Sequence, residues 1–174
     1  IENCRQLAKV ESGSYATLRE TVHLRELAES CRALHSREIE AGLEFELECD
    51  DDLQVVSDRR MWMHVLMNLV GNAVKFTMHE ASQVSSAPAP RVAVRVSRTG
   101  ESALRVEVVD NGPGIATDDQ AFIFGKFAQG HVRRGARGLG SGLGLHLSEK
   151  IIQMLGGSLE LVSPLHDNRG TMCI

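Results

Sequence analysis

The sequence contains few aromatic residues, little net charge and no long apolar run. Aromatic residues make up 4% of the 174 positions, with one Trp and one Tyr, and the formal net charge is −4. This charge balance gives no indication of a nucleic-acid partner. The apolar runs are far shorter than the ~18 residues that a membrane span requires, so we expect no direct membrane contact from this chain. A composition of 43% hydrophobic and 24% charged residues is typical of one soluble globular domain.

Cysteine motifs for metal binding are also missing from the sequence. Cys4, Cys31, Cys49 and Cys173 are widely separated, and no CxxC or Cys/His spacing typical of a zinc site occurs. We therefore expect free, buried or half-buried thiols in a reducing compartment. The chain begins at Ile1 without a signal-peptide pattern, and we expect it to be a fragment of a longer protein.

The periodicity of apolar residues predicts an alternation of helices and strands. Helices are predicted over residues 1–12, stopped by Ser12-Gly13-Ser14, and over 24–41, ended by Gly42. Short extended segments are predicted at 17–23, 43–49 and 53–56. A further helix follows Ser57 or Asp58, either of which can serve as its N-cap.

The second half of the chain is predicted to contain a hairpin and the closing strands. Residues 79–90 are rich in Ala, Ser and Pro and indicate a surface loop. Strands at 91–98 and 104–109 form a hairpin, a helix spans 143–155, and strands close the domain at 158–162 and 170–174. This order predicts an α+β fold, a two-layer sandwich in which helices cover one face of a mixed, mostly antiparallel sheet.

Three polar residues lie on one face of the otherwise apolar helix after Asp58. At about 100° per residue, Asn68, Asn72 and Lys75 fall within roughly 60° of one another. Two carboxamides and an ammonium on a buried helix are costly unless they are paired. A phosphate chain with a divalent cation would pair with all three, because carboxamide oxygens can ligate a hard cation and the ammonium can meet phosphate oxygens.

Two glycine-rich segments supply further candidate contacts. Asp110 ends a strand and is followed by Gly112 and Gly114, so its carboxylate can accept hydrogen bonds from a purine amino group while the glycines admit a flat ring. A plain Asp-Asn-Gly turn is the alternative interpretation. Residues 138–145 carry alternate glycines at a helix start, an arrangement that favours phosphate binding by backbone N–H groups. This segment is neither a Walker A loop nor a dinucleotide fingerprint, and a flexible linker is its alternative.

The order and spacing of these segments resemble the catalytic, ATP-binding domain of sensor histidine kinases, in the superfamily shared with gyrase-type ATPases. Residues 67–77 resemble the N box, 110–115 the first glycine box, 123–127 the F box and 138–145 the second glycine box. Gly156-Gly157 and Gly170-Thr171 match the last strand region. The resemblance covers residues 15–174.

The resemblance implies a role for each matching residue. Asn72 would ligate Mg²⁺, Asn68 would support the phosphates and the metal, and Lys75 would contact phosphate; these three form the catalytic set. Asp110 would bind the adenine amino group, and Thr171 would lie nearby and make its contact through water. Residues 116–139 would form an ATP lid that contains Lys126 and the basic residues Arg133, Arg134 and Arg137. The implied ATP-binding residues are Asn68, Asn72, Lys75, Asp110, Gly112, Gly114, Ile115, Phe124, Phe127, Gly138, Leu139, Gly140, Ser141, Gly142, Leu143, Gly144 and Thr171.

Asn68 also indicates the type of reaction. In the related hydrolases the residue four positions before the metal Asn is a Glu that activates water. Asn68 cannot act as a general base near neutral pH, so the resemblance implies delivery of the γ-phosphate to an external nucleophile, a histidine.

None of the seven histidines matches the family's phosphoacceptor pattern. Residues 1–13 resemble the end of the second helix of a dimerisation domain, and 14–174 the catalytic domain, so we expect the acceptor histidine upstream of Ile1. The implied partners are ATP, the chain's own dimerisation helices and a receiver domain of a response regulator. The resemblance implies a full-length homodimer with a cytoplasmic catalytic domain, and it is compatible with a hybrid kinase. Two alternatives stay open: a nucleotide-sensing module without phosphotransfer, and an ATPase or Ser/Thr kinase of the same superfamily.

Overall fold

A computed structural model describes residues 2–50, 53–85, 87–100, 103–128, 142–165 and 169–174. Within these ranges the helices and strands follow one another as α1 (Glu2–Glu11), β1 (Glu20–His23), α2 (Leu24–Leu34), α3 (Ser36–Glu40), β2 (Glu44–Cys49), β3 (Gln54–Ser57), α4 (Arg59–Gln83), β4 (Arg91–Thr99), β5 (Ala103–Asp110), α5 (Thr117–Gln120), α6 (Gly144–Met154), β6 (Leu161–Val162) and β7 (Thr171–Cys173).

The main sheet has five strands in the order β2-β4-β5-β7-β6. Strand β2 runs parallel to β4, and the other neighbours are antiparallel, so the sheet is mixed and mostly antiparallel as predicted. Strands β1 and β3 form a separate two-stranded antiparallel sheet, which the sequence did not indicate. The register places Asp110 between Val92 of β4 and Thr171 of β7.

The apolar stripe of α4 forms the centre of the core. Its buried residues are Met61, Val65, Leu66, Leu69, Val70, Ala73, Val74 and Thr77. They face Val92, Val94 and Val96 of β4, whose alternate residues point into the same core. The opposite face of the sheet carries ion pairs such as Arg95 with Glu48, 3.1 Å apart. Burial of each large aliphatic side chain contributes about 1.5–3 kcal/mol, so the helix layer and one sheet face hold the domain together.

Asp58 fixes the start of α4, one of the two predicted N-caps. Its Oδ1 accepts hydrogen bonds from the N–H groups of Arg60 (2.9 Å) and Met61 (3.2 Å). Its Oδ2 accepts a third, from the N–H of Leu18 at 2.8 Å. The first two donors are orphan groups of the helix start, and the third belongs to the segment before β1, so Asp58 both caps α4 and ties that segment to it.

Two predicted element boundaries were wrong. The helix predicted over residues 24–41 breaks at His35, because the apolar stripe of α2 ends at the exposed Leu34 and α3 buries no residue that would keep it in register. The loop predicted from residue 79 begins later, because α4 continues to Gln83 through residues that favour helices, such as Glu80 and Ala81. Gly42, with φ +103°, ends the second helical segment as predicted.

The remaining expectations concern cysteines and membrane segments. All four cysteines are free thiols, with Cys31 and Cys173 buried and Cys4 exposed. Among the helices that the structure describes, none has the length and apolar character needed to cross a membrane.

Candidate active site

The polar face of α4 meets the start of α6 at Asn68. The Nδ2 of Asn68 donates a hydrogen bond to the Oγ of Ser148, 2.9 Å away and fully buried. A Cβ atom added to Gly144, the first residue of α6, would lie 2.0 Å from Asn68 Oδ1. A side chain at position 144 would therefore displace Asn68 where the second glycine box touches the N box. Ser148 lies 80 positions from its partner, so no local sequence signal could have identified it.

Asn72 and Lys75 are joined to each other one turn further along α4. The Nζ of Lys75 donates to Asn72 Oδ1 at 3.3 Å and lies 4.2 Å from the ring centre of Phe76. Burial lowers the pKa of Lys75. A negatively charged ligand at Nζ would offset that loss of hydration and would stabilise the ammonium.

Asp110 lies at the end of β5 in a largely desolvated position. Its Oδ1 accepts the N–H of Gly112 at 2.9 Å. Burial raises the pKa of Asp110 to about 6, while hydrogen bonds from the backbone of Gly112 and Thr171 oppose the rise. At neutral pH this carboxyl is mainly ionised and can accept further donors.

Ser163 links the first glycine box to the last strand. Its Oγ accepts the N–H of Ile115 at 2.8 Å, donates to the carbonyl of Gly170 at 2.9 Å and lies 3.1 Å from Thr171 Oγ1. The side chain of Gln120 donates to the carbonyl of Ile115 at 2.9 Å. The register of β5 against β7 and these contacts bring Asp110, Ile115 and Thr171 together at one end of the strands. Their role in ATP binding stays a prediction. Ser163 itself was missed, because a serine between a strand and a proline carries no specific signal.

The last third of α4 reaches the same end of the strands at Thr77. A Cβ atom on the buried Gly112 would lie 3.1 Å from both Thr77 Oγ1 and Asp110 Oδ1. Thr77 is 2% exposed, and its hydroxyl has no hydrogen-bond partner. The sequence predicted no role for this residue.

The F-box segment packs against the start of α6. The carbonyl of Phe124 lies 2.8 Å from His146 Nδ1, and Phe127 is 69% exposed with φ +60°. A Cβ atom on Gly142 would lie 2.6 Å from the backbone of Phe127, and Gly142 has φ +68°, so both space and conformation require glycine there. Leu143 is buried beside it.

Several predicted residues have a different environment or cannot be placed. Lys126 forms an ion pair with Glu11 of α1, Nζ to Oε1 2.6 Å. The predicted phosphate-binding residues Gly138, Leu139, Gly140 and Ser141, and the basic residues Arg133, Arg134 and Arg137, lie outside the described residues. The proposed lid is thus described only for residues 116–128, and its role stays a prediction.

The chemistry of the site suits an anionic ligand better than a metal alone. Among the residues that the structure describes, no three His, Cys, Asp or Glu side chains group together to hold a metal ion. The carboxamide oxygen of Asn72 is a hard ligand, but a cation there would need oxygen atoms from a bound ligand to complete its shell.

A protein-family profile described as "Histidine kinase-, DNA gyrase B-, and HSP90-like ATPase" matches residues 57–174. Among curated proteins, the Non-motile and phage-resistance protein of Caulobacter vibrioides is 32% identical over 94% of this chain and 19% of its own length. The Virulence sensor protein BvgS of Bordetella pertussis is 34% identical over 94% of this chain and 13% of its own length. The chain thus spans less than a quarter of either relative.

Solved structures of histidine kinases share the fold. Full-length ShkA in complex with AMPPNP superposes with a TM-score of 0.79 and 25% identity, over 98% of this chain and 33% of that one. The catalytic domain of histidine kinase ThkA, in a nucleotide-free form, gives a TM-score of 0.71 and 26% identity, over 90% of this chain and 94% of that one. From the profile match over most of its length, the chain belongs to the histidine kinase-, DNA gyrase B- and HSP90-like ATPase family.

Proposed function

We propose that this chain is the ATP-binding catalytic domain of a two-component sensor histidine kinase, which binds Mg-ATP and transfers the γ-phosphate to a histidine outside residues 1–174. The observation that carries the proposal is the junction of α4 and α6, where Asn68, Asn72 and Lys75 line a helix face that meets Gly144. Support also comes from the family membership and from ShkA, whose solved complex contains AMPPNP, an ATP analogue.

Two positions on α4, Asn68 and Thr77, fit the two ends of a nucleotide. Asn68 and Thr77 are nine residues apart, or about 13.5 Å along a helix with a rise of 1.5 Å per residue. Asn68 meets the start of α6, and Thr77 lies beside Gly112, which also adjoins the side chain of Asp110. The ionised Asp110 would accept the purine amino group, and the triphosphate would extend along α4 toward Gly144.

Lys75, Asn72 and the first turn of α6 would hold the phosphates. The ammonium of Lys75 neutralises negative charge, and the start of an eleven-residue helix presents N–H groups with positive potential. Mg²⁺, when bound, would neutralise charge that develops on the phosphate oxygens. Asn72 would contribute its carboxamide oxygen to that ion, which prefers a shell of few protein ligands together with phosphates and waters.

The environment of Asn68 argues against water as the nucleophile. Its carboxamide is neutral, and its Nδ2 already donates a hydrogen bond to Ser148. Neither nitrogen nor oxygen of an amide accepts a proton from water near neutral pH. An imidazole nitrogen therefore attacks the γ-phosphorus, the bond to the bridging oxygen breaks, and ADP leaves. The protein contributes positioning and charge neutralisation.

The acceptor histidine would belong to dimerisation helices attached through α1, in a homodimer of the full-length protein. A receiver domain would then accept the phosphate from that histidine. The helix α1 packs on α6 in this structure through the buried Leu7, so it would join the dimerisation helices to the site. We place the domain in the cytoplasm, where ATP is available.

Phosphotransfer is tested with γ-labelled ATP on the full-length protein that contains this chain. We expect acid-labile phosphate on the protein, and a loss of at least tenfold in its formation in Asn72→Ala. Nucleotide binding without any transfer would instead identify a nucleotide-sensing module. Steady release of inorganic phosphate by residues 1–174 alone, abolished in Asn68→Ala, would contradict the role given to Asn68 and favour an ATPase.

A further inference from the structure

A buried hydroxyl near the end of α4 has no partner. Thr77 is 2% exposed, and its Oγ1 makes no hydrogen bond. A threonine inside a helix usually donates to a carbonyl of the preceding turn, and a buried hydroxyl without any partner costs free energy. Helix α4 continues for six residues beyond Thr77, so the residue does not cap the helix either. The hydroxyl is thus available for a contact that this structure does not contain.

The side chain of Asp110 and this hydroxyl both lie close to Gly112. The position that a Cβ atom of Gly112 would occupy is 3.1 Å from Thr77 Oγ1 and 3.1 Å from Asp110 Oδ1. The two oxygens are therefore separated by about 6 Å at most. Adjustment of the two side chains and of the turn at Gly112 can bring them to hydrogen-bond distance, since no side chain stands between them.

Space, rather than conformation, disfavours a side chain at position 112. Gly114, Gly142 and Gly170 have positive φ values, and Gly112 is not among the residues that do. A methyl group at position 112 would instead be inserted against Thr77 and Asp110. The absence of a side chain there keeps the path between hydroxyl and carboxylate open.

We propose that Thr77 is a positioning residue for purine recognition, whose hydroxyl donates a hydrogen bond to Asp110 when that carboxylate receives the purine amino group. The proposal rests on the nucleotide-binding function proposed above. An ionised carboxylate offers about four acceptor positions. The N–H groups of Gly112 and Thr171 take two of them, the Thr77 hydroxyl would take a third, and the purine amino group would take the fourth. Three fixed donors hold the carboxylate in one orientation and favour its ionised form.

Nucleotide affinity of Thr77→Val and Thr77→Ser tests the role of the hydroxyl. Valine keeps the shape and removes the hydroxyl, whereas serine keeps the hydroxyl. Calorimetric titration of the chain uses ATP and purine riboside triphosphate, which carries hydrogen in place of the 6-amino group. We expect Thr77→Val to weaken ATP binding about tenfold and to leave purine riboside triphosphate unchanged, because the hydroxyl acts through the contact of Asp110 with the amino group. Thr77→Ser should bind ATP within about threefold of the unmodified chain.

The matched control is Thr99→Val, the same change on an exposed threonine at the far end of the β4–β5 hairpin. It should leave both affinities unchanged. The midpoint of thermal unfolding without nucleotide should stay the same or rise in Thr77→Val, because an unsatisfied buried hydroxyl is removed.

Three results would overturn the role of Thr77: unchanged ATP affinity in Thr77→Val, an equal loss for both nucleotides, or a loss in Thr77→Ser as large as in Thr77→Val. If Thr77→Val does not fold, Gly112→Ala decides, because its methyl group separates the same two oxygens. We expect the same selective loss for ATP from that variant, and equal losses would contradict the proposal. Failure of the unmodified chain to bind either nucleotide would reject the proposed function instead.

Discussion

The Cα of Gly144 and the side chain of Asn68 are in such close contact that a Cβ atom on Gly144 would lie 2.0 Å from Asn68 Oδ1. This contact joins the first turn of α6 to the polar face of α4. The same asparagine donates to Ser148 one turn further along α6. The contact of α6 with the polar face of α4 thus involves one asparagine and two small residues.

Gly144→Ala should disturb the junction of α4 and α6. The new methyl group displaces the side chain of Asn68 and breaks its hydrogen bond to Ser148, so we expect a loss of about 1–3 kcal/mol in the free energy of unfolding. ATP affinity should fall by at least tenfold, because both elements that we propose to bind the phosphates shift. Urea unfolding and calorimetric titration measure the two effects.

Gly71→Ala is the matched control for this change. Gly71 lies within α4, and a Cβ atom there meets nothing within 4 Å. Alanine is favoured over glycine inside a helix, so this variant should be more stable by about 0.5–1 kcal/mol. An equal loss of stability in the two variants would show that the contact with Asn68 is not the cause.

Ser148→Ala isolates the hydrogen bond from steric effects. Removal of the hydroxyl leaves the Nδ2 of the half-buried Asn68 without that acceptor, and we expect a loss of about 1–2 kcal/mol in unfolding free energy. In a double-mutant cycle with Asn68→Ala the coupling should be about 1 kcal/mol. Ser82→Ala, at an exposed position near the end of α4, serves as control and should change stability by less than about 0.5 kcal/mol. Additive effects of Ser148→Ala and Asn68→Ala would contradict the coupling.

Asp110 should make both nucleotide binding and stability depend on pH. Burial raises its pKa from 3.8 to about 6 in the folded chain, so the folded state binds this proton more tightly than the unfolded state. The resulting stabilisation is fully present below about pH 4 and is lost as the pH rises to about 6. ATP affinity should change in the opposite direction and increase from pH 5 to pH 7, because the ionised carboxylate is the better acceptor for the amino group.

The comparison with Asp110→Asn assigns this pH dependence to one group. The neighbouring thiol of Cys173 does not titrate in that range, because burial and the charge of Asp110 raise its pKa to about 12. The asparagine variant should lose the change in stability between pH 4 and pH 6 and retain only the titration of ATP itself. A variant with the same two pH profiles as the unmodified chain would exclude Asp110 as their origin.

The parts of the site that the sequence predicted are those with a local pattern. Asn68, Asn72 and Lys75 share a helix face because of the 3.6-residue period, and Asp110 ends an alternating strand next to glycines. The same periodicity predicted the core face of α4 and the β4–β5 hairpin. Local patterns therefore sufficed for the fold class and for both ends of the candidate site.

The residues that the sequence did not identify act across long separations. Ser148 meets Asn68 from another helix, and Ser163 bonds to Ile115 at a distance of 48 positions along the chain. Thr77 continues the apolar stripe of α4, so the sequence pattern indicates only an ordinary core position. The break at His35 and the extension of α4 to Gln83 depend on which side chains find a partner in the core, which periodicity alone does not reveal.

Asn72→Asp should weaken the binding of ATP without affecting recognition of the base. In this structure Lys75 donates to Asn72 Oδ1 at 3.3 Å, so a carboxylate in its place would hold the ammonium in an ion pair and add negative charge beside the phosphates. We expect ATP affinity to fall about tenfold or more in the presence of Mg²⁺, and the affinity for adenosine, which has no phosphates, to remain within about twofold. Calorimetric titration with both ligands measures the difference. Unchanged ATP affinity would mean that Asn72 does not lie near the phosphates, and an equal loss for adenosine would point to a general distortion of α4.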